Sequence, residues 1–307
     1  MRFAVMGSGG IGGYYGARLA AAGHEVAFIA RGEHLRAMQR NGFALRGPAG
    51  DVELPSVVAT DDPSTLAPVD VVLFCVKLFD TEAAARAIVP LLARGGCCLT
   101  LQNGVDAIER IAAITGPGSV MGGAAYVSAV IESPGTVRYN SAQPGIRFGE
   151  VDGSRSPRAL ALRDACRGAG FDAELVDDIR TALWEKFVGL ATNAALTALA
   201  RRPAGVVYHD PDLLEVARAG FAEAVAVARA CGVPMAEDMV DVLVRRHQGF
   251  PKDMYASMYH DLARGRRMEL ESLSGLVVRK GREHGVPTPV HATAWACLKP
   301  FMEGASG

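Results

Sequence analysis

A chain of 307 residues, half of them hydrophobic, is long enough for two domains with a core each. Its net charge of −1 and the lack of any lysine- or arginine-rich block argue against nucleic acid as the main partner. No apolar run reaches the roughly 18 residues of a membrane span; the longest candidate, 187–200, is interrupted by Thr192, Asn193 and Thr197.

In chain order, 2–6 reads as a strand, followed by glycines and a helix to about residue 22. A second strand over 25–30 precedes a helical stretch at 33–41. Short strands at 43–46 and 52–58 flank a Gly47-Pro48-Ala49-Gly50 turn. The run 69–76, apolar but for Asp70, is what a strand covered on both faces requires, and 97–101, apolar but for Thr100, is similar, with a helix at 80–92 between them. Further β structure is predicted at 120–130, 136–140, 145–148 and 172–176. Strand–helix alternation of this kind implies an α/β domain built on a doubly wound sheet. Near residue 178 the pattern changes. Helices are expected over 179–200, 211–231, 235–247, 252–264, 268–284 and 290–302, punctuated by Pro203, Pro211, Pro234 and Pro251. The boundary is placed at 177/178, giving domains 1–177 and 178–307, the second all-α, with 303–307 expected to fray. Six cysteines without a CxxC pair or metal-ligand spacing read as buried, reduced thiols of a cytoplasmic protein that holds no metal.

Gly7-Ser8-Gly9-Gly10-Ile11-Gly12 is G-x-G-x-x-G between a strand and a helix, the context in which this motif holds a dinucleotide. Gly7 permits the tight turn, Gly9 the approach of a pyrophosphate, and Gly12 close helix–strand packing; Gly10 and Ile11 open the helix whose free N–H groups face the anion. This is the signature of a Rossmann-type domain. The second strand ends in Arg31, nineteen residues past Gly12, where NAD enzymes carry an acid for the ribose hydroxyl. A guanidinium there suits a 2′-phosphate, so NADPH is the expected cofactor, with Glu33 on the ribose as the alternative. Two further strands run into polar groups, Lys77 and Gln102-Asn103-Gly104, at the edge where ligands of this fold lie. Lys77 could neutralise phosphate or carboxylate, and Asn103 could bond nicotinamide or substrate. Lys186, in Leu183-Trp184-Glu185-Lys186-Phe187-Val188, is a candidate proton donor, because desolvation among apolar neighbours lowers a lysine pKa. Snorkelling from a core helix is the bland alternative.

These features in this order, together with Leu196-Thr197-Ala198-Leu199 and Ser257-Met258 followed by Met268-Glu269, resemble the ketopantoate reductase (2-dehydropantoate 2-reductase) family across nearly the whole chain. The resemblance implies an NADPH-dependent reduction of ketopantoate to pantoate in pantothenate biosynthesis. It implies that Lys186 is the general acid and that Glu269 lies beside it near the nicotinamide. It further implies that Asn103 bridges cofactor and substrate, that Lys77 contacts the cofactor, that Ser257 holds the substrate carboxylate, and that Ala129 touches the cofactor through its backbone. Within Met268-Glu269-Leu270-Glu271 the residues themselves do not choose between the two acids; the resemblance selects Glu269. Where the family carries substrate-binding asparagines, this chain has Leu190, Ala194 and Ala204. Asn193, seven residues after Lys186 and within roughly 20° of the same helical face, is the candidate substitute. The alternative functions are reduction of another small 2-oxo acid or ketone, and a non-catalytic NADPH sensor. The exposed-looking Arg264, Arg266 and Arg267 read as a solvated loop, and the apolar helices of the second half suggest a homodimer.

Overall fold

A computed structural model describes residues 1–305, and all that follows concerns those residues. The chain divides into two compact units, Met1–Ala182 and Leu183–Gly307. The division falls within the helix Ile179–Ala200, a few residues past the expected 177/178.

The first unit contains strands β1 (Arg2–Met6), β2 (Glu25–Ile29), β3 (Phe43–Arg46), β4 (Val52–Leu54), β5 (Val58–Thr60), β6 (Val71–Phe74), β7 (Cys97–Thr100), β8 (Val120–Tyr126), β9 (Ala129–Ser133), β10 (Thr136–Tyr139), β11 (Gly145–Glu150) and β12 (Asp172–Leu175). Its helices are α1 (Gly10–Ala21), α2 (Gly32–Asn41), α3 (Thr81–Ile88), α4 (Ala107–Thr115) and α5 (Pro157–Gly168). The main sheet has the order β12-β11-β8-β7-β6-β1-β2-β5. It is parallel from β5 through β8, and β11 turns antiparallel to β8. Strands β6 and β7 are buried at every position, which explains why every residue of β6 and all but Thr100 of β7 are apolar.

A second sheet, β4-β3-β10-β9, packs on α1. Two runs expected to be single strands are each shared between the sheets. The run 52–58 splits at Pro55, which has no N–H for a ladder, into β4 of the small sheet and β5 of the large one. The run 120–130 splits at residues 127–128 into β8 and β9. Extended sequence of this kind does not say which sheet a segment enters. Helices α4 and α5 also go beyond the sequence expectation, although α5 begins with a side-chain cap from Ser156 to the Ala159 N–H (3.2 Å) and Pro157 in its first turn.

The second unit takes up α6 (Ile179–Ala200), followed by α7 (Ala204–Val207), α8 (Pro211–Ala230), α9 (Met239–Gln248), α10 (Ser257–Ala263), α11 (Ser274–His284) and α12 (Pro289–Leu298). Helix α6 stops where Arg201 turns left-handed (φ 52°), ahead of Pro203. Helices α9 and α10 begin later than expected, at Met239 and Ser257. The expected helix 268–284 is broken: a 3₁₀ turn at Leu270–Ser272 and the irregular Leu273 (φ −103°, ψ −96°) precede α11, so Glu269 does not sit on a helix. Buried His291 ties the bundle together. Its Nε2 donates to the Gly220 carbonyl (3.2 Å) and its Nδ1 accepts from Ser274 (3.3 Å), while Glu223 receives the N–H groups of Val290 and His291 at the start of α12.

The C-terminal residues are held rather than frayed as far as Ala305. Met268 N–H donates to Met302 (2.8 Å), Ala305 N–H to Gly265 (2.9 Å), and Arg267 pairs with Glu303. Ser306 and Gly307, the end of the segment expected to fray, lie outside the described residues. The cysteines are not uniformly buried: Cys97, Cys98 and Cys166 are, whereas Cys75 and Cys231 are partly exposed and Cys297 is exposed. Among the described residues no helix is long and apolar enough to cross a membrane, and no His, Cys, Asp and Glu cluster could hold a metal.

Candidate active site

Parallel pairing of β2, β1, β6 and β7 sets their carboxyl ends along one edge of the main sheet. The glycine loop leaves β1 there, Arg31 follows β2, Lys77 follows β6, and Asn103 follows β7. Gly7 has φ 95°, and a Cβ on it would lie 2.8 Å from Val76 N, so the tight turn requires glycine. Gly12 is as constrained, with its Cβ position 2.3 Å from Gly7 O. Gly9 differs: nothing lies within 4 Å of its Cβ position. That open space adjoins the start of α1, where the first N–H groups have no intrahelical partner and no side chain caps or acidifies the first turn. A pyrophosphate fits these residues. Gly10 carries the small sheet, since its Cβ position is 2.1 Å from the carbonyl oxygen of Ala129, the first residue of β9. Ala129 and Gly10 are thus in contact, and Ile11 is partly exposed beside them in sequence.

Arg31 is exposed at the N-cap of α2 and has no ion-pair partner among the described residues. Glu33, the alternative ribose ligand, is bonded by Arg36. Lys77 and Asn103 are each partly exposed. Gln102, next to Asn103, fixes this corner, a role that the sequence alone does not assign. Its side chain is buried and donates to Val76 O (3.0 Å) and Thr81 Oγ1 (2.9 Å), so the ends of β6 and β7 are clamped together. A glutamine directly after an apolar strand was the available signal.

In the second unit, α6 places Lys186 among buried Leu183, Trp184 and Phe187. The lysine itself is partly exposed. Desolvation pulls its pKa from 10.5 down to about 8, and the negative charge of Glu269 opposes that shift. Glu269, nearly buried, is therefore the acid that acts on Lys186. Glu271 is engaged elsewhere, accepting from Trp295 Nε1 (2.9 Å) and pairing with Arg279. The break before α11 is what separates the two carboxylates. An amine poised near pH 8 can give up or take a proton under mild conditions, as a general acid must.

Asn193 is nearly buried on the Lys186 face of α6. Its Oδ1 accepts from Tyr208 Oη (3.0 Å), a partner from α7's C-terminal end that the sequence did not suggest. Leu190 is partly exposed, and Ala194 and Ala204 are buried. Ser257 is exposed as the first residue of α10, flanked by Tyr255 and Tyr259, whose rings stack at 4.0 Å. Arg264, Arg266 and Arg267 are exposed.

The ketopantoate reductase PanE/ApbA family matches residues 3–153, and the C-terminal part of the same family matches residues 178–302. A 2-dehydropantoate 2-reductase of Archaeoglobus fulgidus is 34% identical over 304 residues, covering 99% of this chain and 98% of that protein. A PanE/ApbA family ketopantoate reductase from Ralstonia eutropha JMP134 superposes with a TM-score of 0.90 at 34% identity, covering 98% of both chains. A 2-dehydropantoate 2-reductase from Geobacter metallireducens GS-15 does so with a TM-score of 0.92 at 29% identity, covering 98% of this chain and 99% of that one. Glycine loop, strand-end lysine and asparagine, desolvated lysine and its glutamate thus occur in a chain that belongs to the ketopantoate reductase family of oxidoreductases.

Proposed function

We propose that this protein is an NADPH-dependent 2-dehydropantoate 2-reductase that converts ketopantoate to pantoate, serving pantothenate biosynthesis in the cytoplasm, and that it works as a homodimer. The observation that carries the reading is the desolvated Lys186, with its pKa near 8, under the charge of Glu269. In the first unit Gly7, Gly9, Gly10, Ile11 and Gly12 receive the pyrophosphate, Ala129 adds a backbone contact, and Lys77 and Asn103 serve the nicotinamide side. Arg31 binds the 2′-phosphate; its exposure, and the engagement of Glu33 by Arg36, support NADPH over NADH. A dinucleotide bound there would supply the hydride for C2 of the oxo acid. Lys186 donates its Nζ proton to the oxygen as charge develops there, which leaves a 2-hydroxy acid and a neutral amine. The Glu269 charge raises the Lys186 pKa against desolvation and so helps hold that proton before reaction. Ser257 binds the substrate carboxylate, and Asn103 and Asn193 bind the substrate's polar groups.

A second reading, reduction of another small 2-oxo acid, is favoured by Leu190, Ala194 and Ala204, which offer no hydrogen bond to a hydroxylated substrate. The test is NADPH oxidation by the purified protein with ketopantoate, beside a panel of 2-oxo acids without a hydroxyl. Turnover of ketopantoate that collapses in Lys186→Ala supports the first reading. Tight NADPH binding with turnover of the apolar acids alone supports the second.

A further inference from the structure

We propose that His34 is a positioning residue for the dinucleotide, orienting the Ser8–Gly9 peptide so that the Gly9 N–H points at the pyrophosphate. The proposal rests on the dinucleotide reading of the glycine loop. His34 lies on α2, half-buried, with its ring edge-on to Phe43. Its Nδ1 accepts the N–H of Gly135 (3.0 Å), in the turn between β9 and β10. An Nδ1 that accepts carries no proton, so Nε2 carries it and donates to the carbonyl oxygen of Ser8 (2.9 Å). Burial lowers the pKa of the ring, in keeping with the neutral form.

The bond to Ser8 matters because a peptide unit is planar and trans: the direction of the Ser8 C=O dictates the opposite direction of the Gly9 N–H. Pulling the carbonyl toward α2 aims the N–H away from it, on the residue whose Cβ position faces open space. The other side of the loop is already held, since the N–H groups of Gly7 and Ser8 both donate to Ile29 O (3.2 and 3.0 Å). His34 also joins three pieces of the site: the loop, the helix that begins beside Arg31, and the small sheet whose β9 touches Gly10.

The two bonds can be separated by isosteres. In H34N the amide oxygen replaces Nδ1 and keeps the Gly135 bond but does not reach Ser8. In H34Q the amide nitrogen replaces Nε2 and keeps the Ser8 bond. We expect H34N to raise the Kd of both NADPH and NADH about tenfold, with kcat at saturating cofactor within about threefold of wild type, and H34Q to recover most of the affinity. Equal weakening of both cofactors sets this apart from loss of Arg31, which affects NADPH alone. Folded H34N that binds NADPH within twofold of wild type overturns the proposal. So does H34Q that keeps its melting temperature yet binds ten times more weakly, a result that stands even when H34N does not fold. Wild-type protein that binds neither dinucleotide removes the parent reading, and this proposal with it.

Discussion

A lysine near neutrality is made by two opposed effects at one residue. Desolvation lowers the Lys186 pKa to about 8, so the ammonium is present below that pH and lost as pH rises through it. Reduction, which needs the proton, should therefore fall as pH rises through about 8, and oxidation of the product alcohol should rise over the same window; steady-state rates in both directions from pH 6 to 10 check this. In Glu269→Gln the opposing charge is gone, so the break should move to lower pH, and an unmoved break would show that the Glu269 charge does not act on Lys186. Lys186→Ala should lower kcat by about a thousandfold while leaving the NADPH Kd within about twofold, as expected for removal of a general acid. Arg31→Ala should weaken NADPH by about ten- to a hundredfold and leave NADH unchanged, measured by titration of cofactor fluorescence.

Elements impose their own constraints, and here they turn on close approaches. β9 lies so near the N-terminus of α1 that a methyl group at Gly10 would overlap the Ala129 carbonyl. Gly10→Ala should therefore displace β9, lowering the melting temperature and dinucleotide affinity together, whereas Gly9→Ala, with open space around it, should spare stability and lose affinity. In the helical unit, burial holds His247 and His291 at a pKa of about 4 against an ordinary 6.5. The unfolded chain takes up these protons first, so the fold loses stability as pH falls from 6.5, and the loss is complete near 4. At full weight each histidine accounts for about 3 kcal/mol over that window. Melting temperatures between pH 7 and 4 should fall steeply, and less so in His291→Gln. Neither histidine stands out in the sequence, because the burial that shifts it comes from helices distant along the chain.

At the scale of the whole molecule, two kinds of information separate. The sequence by itself determined the glycine loop and the start of α1 behind it, the apolar parallel strands, the run of helices after residue 178, and Lys186 in an apolar setting. These are local: glycine chemistry, strand and helix period and proline punctuation act within a few residues, so they can be read without knowing what packs against them. Tertiary structure alone decided that 52–58 and 120–130 are each divided between two sheets, since a short extended segment looks the same whichever sheet it enters. It decided that Glu269 rather than Glu271 acts on Lys186, through an irregular residue before α11 and a tryptophan far along the chain. It also gave Asn193 its tyrosine, His34 its two backbone partners and Gln102 its clamp across β6 and β7. The physical reason is common to all of them: a hydrogen bond, a desolvation or a charge pairing belongs to two groups, and in each case the second group is set by the fold and not by spacing.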